Sequence, residues 1–280
     1  MIKSISYWSV EGGLEAKCPI NVALGKVKSA GFEGLELCIG EQGVLTPATS
    51  EADCCTIRGQ SDASGLVVET LASGMTWGCC PSHPDPAVRR KSIQLHKDAL
   101  QRAAWLGCKS MLFVPGAIII PWDPSYPFVS YKDGVKWARQ AVGALARTAE
   151  KVKVELCVEN VWNGLFYSPL EFAAFIDSFE SRYVKAYFDV GNVLGYHQRS
   201  EDWINLLGKR IGRVHIKDFK RSVGNLSGFC DLTEGDVAWP AVVAALKKIG
   251  YKKTLVAEMI PPTPGVLERT KAALDKIVAM

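Results

Sequence analysis

The chain reads VELCVE at residues 154–159, a short apolar run that ends on the acidic residue Glu159. Three later runs have the same form: AYFD ends on Asp189, RVH ends on His215 and LVAE ends on Glu258. Side chains so far apart in sequence meet only if the fold brings successive strand ends to one rim. A (β/α) barrel does this, because its parallel strands all deliver their C-terminal ends to the same face.

Short strand-like runs alternate with longer helical patterns along the rest of the chain. Helix starts are indicated at Asp85-Pro86, Ser168-Pro169 and Trp239-Pro240, since proline suits the first helical position. This order predicts βα units and a parallel sheet. The predicted strands lie near residues 3–9, 34–39, 66–72, 109–114, 154–160, 184–190, 212–217 and 254–259. No low-complexity tract or linker interrupts the pattern, so residues 1–280 are expected to form a single (β/α)8 TIM-barrel domain.

Composition and charge narrow the class of protein. The net charge is only +4 and the basic residues are dispersed, so nucleic acid and anionic membrane surfaces are not expected partners. The nine cysteines form no CxxC pair, which is typical of reduced thiols in a cytoplasmic protein. No apolar stretch approaches the ~20 residues of a membrane span. We therefore expect a soluble, cytoplasmic protein.

Three carboxylates and one imidazole at matching strand ends predict a metal site. This mixture of oxygen and nitrogen ligands suits Mn²⁺, Mg²⁺ or Co²⁺ better than a thiolate-preferring metal, and Zn²⁺ is also compatible with it. A divalent ion with open positions can chelate a hydroxy-ketone and, as a Lewis acid, ease removal of the adjacent C–H proton. A lone acidic residue at a strand end is more often a helix cap or a salt-bridge partner, but four in matching positions favour a metal.

The two glutamates among these residues also suit acid–base chemistry. Glu159 and Glu258 are expected to approach a bound substrate from opposite sides, because strands five and eight of a barrel lie roughly across the rim from each other. One would remove a proton from one face of a carbon, and the other would return a proton to the opposite face. A metal-bound enediolate would link these steps. Inversion at that carbon, in a sugar with adjacent ketone and hydroxyl groups, would be the result.

Five segments together carry a family resemblance. They are VEN at 158–160, FDVGN at 188–192, HIKD at 215–218, EGDVAWP at 234–240 and VAE at 256–258. They resemble the xylose-isomerase-like barrel superfamily, and within it the sugar-phosphate isomerase/epimerase group, which includes ketose 3-epimerases and hexulose-6-phosphate isomerases. The resemblance implies that Glu159, Asp189, His215 and Glu258 bind one divalent metal, with the two glutamates as acid and base. It also implies that Arg221 contacts substrate oxygens and that the protein forms a homodimer or homotetramer.

Two positions depart from the pattern of the free-sugar ketose 3-epimerases. Those enzymes commonly have a His three residues after the Asp ligand and a Glu six residues after the first Glu ligand, where this chain has Asn192 and Leu165. Lys220 and Arg221 begin the loop after the seventh strand, where barrels frequently hold phosphate. That loop supports a phosphorylated substrate, and a solvated basic loop tip is the alternative.

Further candidate substrate contacts lie around these ends. Lys217 is two residues beyond the histidine on the same strand face, so its ammonium is expected to reach the substrate or a neighbouring carboxylate. Trp8 and Trp162 are candidates to stack on a sugar, with packing at the rim as the alternative. Asn192 and His197 complete the set of candidate contacts.

Two acidic residues within predicted strands need partners, because an unpaired buried charge is costly. We expect structural hydrogen bonds for both Glu36 and Glu69. His96 falls at helical spacing among apolar residues and is expected to be a satisfied helix residue.

The preferred reaction is C3 epimerisation of a ketose or ketose phosphate. Aldose–ketose isomerisation of a hexulose phosphate on the same residues is the first alternative. A zinc-dependent endonuclease of the same fold would need more than the four histidines of this chain and a basic face. A catalytically silent sugar-binding protein would not need all four ligands.

Overall fold

Eight parallel strands close into a barrel in the computed structural model, which describes residues 1–280. The barrel strands are β1 (Ile2–Ser6), β2 (Gly34–Ile39), β3 (Thr70–Ser73), β4 (Ser110–Phe113), β5 (Glu155–Glu159), β6 (Val184–Asp189), β7 (Ile211–Ile216) and β10 (Thr254–Ala257). Two short strands, β8 (Asp218–Phe219) and β9 (Phe229–Cys230), form a separate antiparallel hairpin. Neighbours around the barrel follow the order β1, β10, β7, β6, β5, β4, β3, β2. The predicted (β/α)8 fold is confirmed.

Eight helices accompany the strands. They are α1 (Ile20–Ser29), α2 (Glu51–Ser64), α3 (Pro86–Trp105), α4 (Tyr131–Val152), α5 (Pro169–Asp177), α6 (Ser200–Leu207), α7 (Trp239–Lys248) and α8 (Val266–Ala279). The helix starts predicted from proline are all present. Asp85 caps α3, because its carboxylate accepts a hydrogen bond from the Ala87 amide at 2.7 Å. The hydroxyl of Ser168, which directly precedes α5, forms no such bond.

Two strands differ from their predicted bounds by three residues or more, and one hairpin was not predicted. The first strand ends at Ser6, whose hydroxyl accepts a bond from the Trp8 amide and turns residues 7–9 into a short 3₁₀ helix. The third begins only at Thr70, so Glu69 precedes the strand. The hairpin of β8 and β9 was not predicted, because strands of two residues carry no hydrophobic pattern.

The register of the sheet brings the predicted ligands to the same rim. Asp189, the last residue of β6, lies beside His215 of β7, and Glu159 at the end of β5 lies beside Tyr187. Glu258 directly follows β10, and its amide donates to the Ile216 carbonyl of β7. The four side chains therefore arrive from four strands at one level of the barrel.

A single cluster of 73 buried hydrophobic residues joins the barrel to its helices. Strand residues such as Leu156, Phe188 and Val214 are fully buried, as expected for parallel strands that are covered on both faces. None of the helices combines the length and the apolar character that crossing a membrane would require.

Candidate metal centre and active site

The four predicted ligands converge at the C-terminal rim of the barrel. Ligand atoms of Glu159, Asp189, His215 and Glu258 all lie within 4.8 Å of one another. Nδ1 of His215 is 3.3 Å from Glu159 Oε1, 3.7 Å from Glu258 Oε2 and 4.0 Å from Asp189 Oδ2. Ligands on one ion at about 2.0–2.2 Å are separated from each other by roughly 3–4.5 Å. The spacing of the four side chains therefore fits a single divalent ion.

Two buried carboxylate oxygens in this cluster share a single cationic neighbour. They are Oδ2 of Asp189 and Oε2 of Glu258, which accept no other hydrogen bond and both lie against the ammonium of Lys217. Buried charges are normally paired or bound to a metal. A metal ion among the four side chains would add the positive charge that one lysine does not supply to three carboxylates, so the residues fit the metal that the sequence predicts.

Lys217 is the one ammonium group that approaches these oxygens. Its Nζ lies 3.1 Å from Asp189 Oδ2 and forms an ion pair with Glu258 Oε2. Burial acts to lower the pKa of Lys217, but the charges of Asp189, Glu258 and Glu159 outweigh it and raise the pKa above its usual value. Of the two partners expected for Lys217, the structure therefore shows the carboxylates.

The carboxyl groups are not equivalent in their ionisation. Burial raises the pKa of Glu159 to about 7, although His215 and Lys217 act in the opposite direction. Burial also raises the pKa of Asp189. For Glu258 burial acts upward as well, but the charges of Lys217 and His215 outweigh it and lower the pKa. One lysine and one histidine thus do not hold all three carboxyl groups in their charged form at neutral pH.

Glu36 is a residue of this centre whose role the sequence did not reveal. Its Oε1 lies 2.8 Å from Nε2 of His215, and its Oε2 accepts hydrogen bonds from Thr70 at 3.1 Å and from the Tyr187 hydroxyl. With Nε2–H donated to Glu36, Nδ1 of His215 faces the carboxylates and is the nitrogen that a metal would bind. Histidine ligands of metals are commonly oriented by a carboxylate in this way. The buried charge at Glu36 signalled a partner, but no spacing pointed to His215.

Backbone and side-chain groups around Asp189 fix the position of its carboxylate. The Asn192 amide donates to Asp189 Oδ1 at 2.8 Å, and the Asn160 side chain brackets the Asp189 backbone with bonds of 2.8 and 3.0 Å. Gly191 passes so close to Lys217 that an added Cβ would lie 2.6 Å from the lysine Cβ. The glycine and the asparagines therefore fix the position of the aspartate.

Asp218 holds the EGDVAWP segment at residues 234–240 in place. Its carboxylate accepts hydrogen bonds from the Thr233 amide at 2.9 Å, the Val237 amide at 3.2 Å and the Trp239 indole at 3.0 Å. Gly235 leaves room for it, because an added Cβ would lie 2.2 Å from Asp218 Oδ1. The aspartate of HIKD thus anchors the loop before α7.

A cavity of about 640 Å³ lies over the centre. Glu159 and Glu258 line it, whereas Asp189 and His215 do not. Its walls also include four of the predicted substrate contacts, which are Trp8, Trp162, Asn192 and Lys217. Among the four candidate metal ligands, only the two glutamates are therefore open to a molecule in the cavity.

The structure does not bring the remaining predicted contacts to this cavity. Lys220, Arg221 and His197 are exposed and are not among its lining residues. The reason is the hairpin of β8 and β9, which turns the chain back directly after Phe219 and carries the two basic residues outward. The Arg221 guanidinium donates to the Gln198 carbonyl at 3.0 Å.

Comparison with known proteins shows the family to which the chain is similar. The family model described as "Xylose isomerase-like TIM barrel" matches residues 24–277. D-psicose 3-epimerase of Enterocloster bolteae is 25% identical over 258 residues, which cover 90% of this chain and 79% of that protein.

Two further proteins show the same likeness. A Haemophilus influenzae protein whose name gives L-ribulose-5-phosphate 3-epimerase as its expected activity is 20% identical, over 89% of this chain and 87% of its own. The structure of D-psicose 3-epimerase from Clostridium cellulolyticum H10, with D-tagatose, superposes with a TM-score of 0.81. That superposition has 19% sequence identity and covers 99% of this chain and 98% of the other.

Proposed function

We propose that this chain, which belongs to the xylose isomerase-like TIM barrel family, is a metal-dependent epimerase that inverts C3 of a ketose. The observation that carries the proposal is the convergence of four ligand atoms within 4.8 Å, two of them on glutamates that line the cavity. The relatives named as ketose 3-epimerases support the same reaction. We further propose that residues 1–280 act as one domain, since one hydrophobic cluster joins the barrel and its helices.

Glu159, Asp189, His215 and Glu258 would hold one divalent ion. Such an ion supplies Lewis acidity to a hydroxy-ketone, which makes the C–H proton on the hydroxyl-bearing carbon next to the ketone more acidic. Mn²⁺, Mg²⁺ and Co²⁺ suit the three carboxylates and one imidazole, and Zn²⁺ is compatible with them. Asp189 and His215 are enclosed by protein, so their part is to bind and orient.

The two glutamates would move the protons. Glu159 comes from β5 and Glu258 from β10, and the strands β6 and β7 separate them around the barrel. A substrate between them presents one face to each carboxyl group. Removal of the C3 proton by one glutamate and return of a proton by the other give inversion. Lys217 contacts Glu258 and Asp189, which keeps both carboxylates in place while the substrate enters.

The test is turnover of D-fructose by manganese-loaded protein in deuterium oxide. Epimerisation places deuterium at C3, whereas aldose–ketose isomerisation places it at C1 or C2. We expect Glu159→Gln and Glu258→Gln to lower kcat by roughly 10²–10⁴-fold, the usual contribution of a positioned acid or base.

The matched control is Glu150→Gln, on the exposed surface of α4, which should keep wild-type turnover. Full activity in either active-site variant would disprove the two-base mechanism. Deuterium at C1 or C2 alone would show that the protein is an aldose–ketose isomerase and not a C3 epimerase.

A further inference from the structure

The cavity above the two glutamates is mainly apolar. Of its 23 lining residues, 14 are hydrophobic. A ketose carries an oxygen on every carbon, and a single six-carbon sugar is smaller than the ligands that cavities of roughly 300–1,000 Å³ usually enclose. At about 640 Å³, the cavity has room and apolar wall that the sugar alone does not use.

Much of that wall is aromatic. Trp77 and Trp122 meet edge to face, with ring centroids 4.7 Å apart, and Trp162 packs against Phe229 at 5.3 Å. Trp8 also lines the cavity. Aromatic rings provide flat apolar surfaces, and they bind other rings by offset or edge-to-face contact. Two aromatic pairs in one cavity therefore suit a ligand that carries a ring of its own.

The mouth of the cavity exposes further apolar side chains. Leu14, Trp122, Leu226 and Ile260 all line it, and each is between 38 and 53% exposed. Single exposed hydrophobic residues are ordinary, but a contiguous apolar patch marks a binding site. The four side chains line the same cavity as Glu159 and Glu258, so a group that covers them belongs to the same ligand.

The charges along the wall do not suit a phosphate group. Lys217 is the only lysine or arginine that lines the cavity, and Asp189 and Glu258 already engage it. The acidic residues Asp218 and Asp231 also belong to the lining. A phosphate ester would therefore find no free lysine or arginine in the lining, whereas a neutral apolar group does not need one.

We infer that the natural substrate is a hydroxy-ketone sugar that carries an aromatic substituent on the end remote from the reacting carbons. The sugar would lie on Glu159 and Glu258, and the ring would lie between the aromatic pairs and the apolar mouth. This inference rests on the proposed epimerase reaction and adds the chemical class of its substrate.

Three derivatives of D-fructose test it: the 6-O-benzyl ether, the 6-O-methyl ether and the 6-phosphate. Both ethers block the same hydroxyl and differ only in the ring. We expect kcat/KM for the benzyl ether to exceed that for the methyl ether by about tenfold or more, because the ring buries additional apolar surface. The 6-phosphate should be the poorest of the three.

Variants of the wall make the test specific. Trp77→Ala and Trp122→Ala should lower the ratio of benzyl to methyl kcat/KM towards one, because each removes part of the aromatic wall against which the ring would pack. Trp137→Ala is the matched control, because Trp137 stacks with Arg89 and does not line the cavity. It should leave the ratio unchanged.

Equilibrium binding of both ethers, followed by tryptophan fluorescence, decides the inference even without turnover. Equal affinity and equal kcat/KM for the two ethers would overturn it while leaving the epimerase reaction intact. Preference for the 6-phosphate would overturn it in favour of a phosphorylated substrate. Tighter binding of the benzyl ether without deuterium exchange in any sugar would instead support the cavity and reject the proposed reaction.

Discussion

Both ends of the barrel carry a partly buried set of charges, and the two sets differ in their balance. At the N-terminal end, Arg213 lies 3.5 Å from Glu155 and 3.8 Å from Glu69, and Lys253 lies 3.3 Å from Glu155. Two acids thus face two bases. We call this set the lower layer.

The upper layer, at the C-terminal end, is the cluster of Glu36, Glu159, Asp189, His215, Lys217 and Glu258. Four acids there face one lysine and one histidine, and one oxygen each of Asp189 and Glu258 has only the Lys217 ammonium as a partner. The same strands supply both layers, since β5 provides Glu155 and Glu159 and β7 provides Arg213 and His215. The charges of the lower layer balance, although Nε of Arg213 has no hydrogen-bond partner, whereas the upper layer has a surplus of negative charge that a divalent cation would compensate.

The largest expected effect comes from breaking the lower layer. Arg213→Met removes the buried cation and leaves Glu155 and Glu69 with less compensation, so the free energy of unfolding should fall by about 3–5 kcal/mol. Urea unfolding measures it. Mn²⁺ should stabilise the variant by the same increment as the wild type. Arg210→Met, which breaks a surface pair with Asp177, is the control and should cost at most ~1 kcal/mol.

The corresponding change in the upper layer should respond to metal. Lys217→Met removes the ammonium between Asp189 and Glu258, so the metal-free variant should lose several kcal/mol. Mn²⁺ should restore most of this loss, since binding at 100 times Kd contributes about 2.7 kcal/mol even to an unchanged site. Thermal unfolding in EDTA and in Mn²⁺ gives the comparison. Equal metal increments in the variant and the wild type would contradict the assignment of the two layers.

Glu36 should tune metal affinity without a large effect on folding. Glu36→Gln weakens the acceptor for Nε2 of His215, and changes of this kind usually reduce metal affinity about 10–100-fold. Isothermal titration with Mn²⁺ measures the change. Glu69→Gln is the control. Glu69 belongs to the lower layer and directly precedes β3, so this variant should keep the wild-type affinity for Mn²⁺. An unchanged Kd in Glu36→Gln would show that Glu36 only fills the barrel.

The smallest effect is the dependence on pH. Burial raises the pKa of Glu159 from 4.5 to about 7, so between these values the metal-free folded state binds more protons than the unfolded state. The contribution of Glu159 to the free energy of unfolding of the metal-free protein is therefore fully present below pH 4.5 and is lost as the pH rises through 7. Metal binding needs ionised carboxylates. The increase in Tm caused by Mn²⁺ should accordingly grow by a few degrees from pH 5 to pH 7, and an increment independent of pH would argue against Glu159 as a ligand.

The sequence predicted the barrel and brought forward the four candidate metal ligands because both depend on local patterns. Apolar runs ending on Glu159, Asp189, His215 and Glu258 follow from burial of parallel strands and from the exposure of their C-terminal ends. Proline at the helix starts records a backbone angle that the first turn requires. Such features depend on neighbours in the chain, and they can be read without the fold.

Only the tertiary structure decided which side chains face the cavity and which partners they have. Glu36 and His215 are 179 positions apart, and only closure of the barrel brings them within 2.8 Å. The hairpin of β8 and β9 carries Arg221 away from the cavity although it is close in sequence to Lys217. Strand alternation and motif spacing fix the direction of a side chain only within its own element. The contacts of a loop depend on the packing of elements distant in the chain. For this reason the sequence determined the barrel and the four residues at its strand ends, while the structure determined the shape and character of the cavity above them.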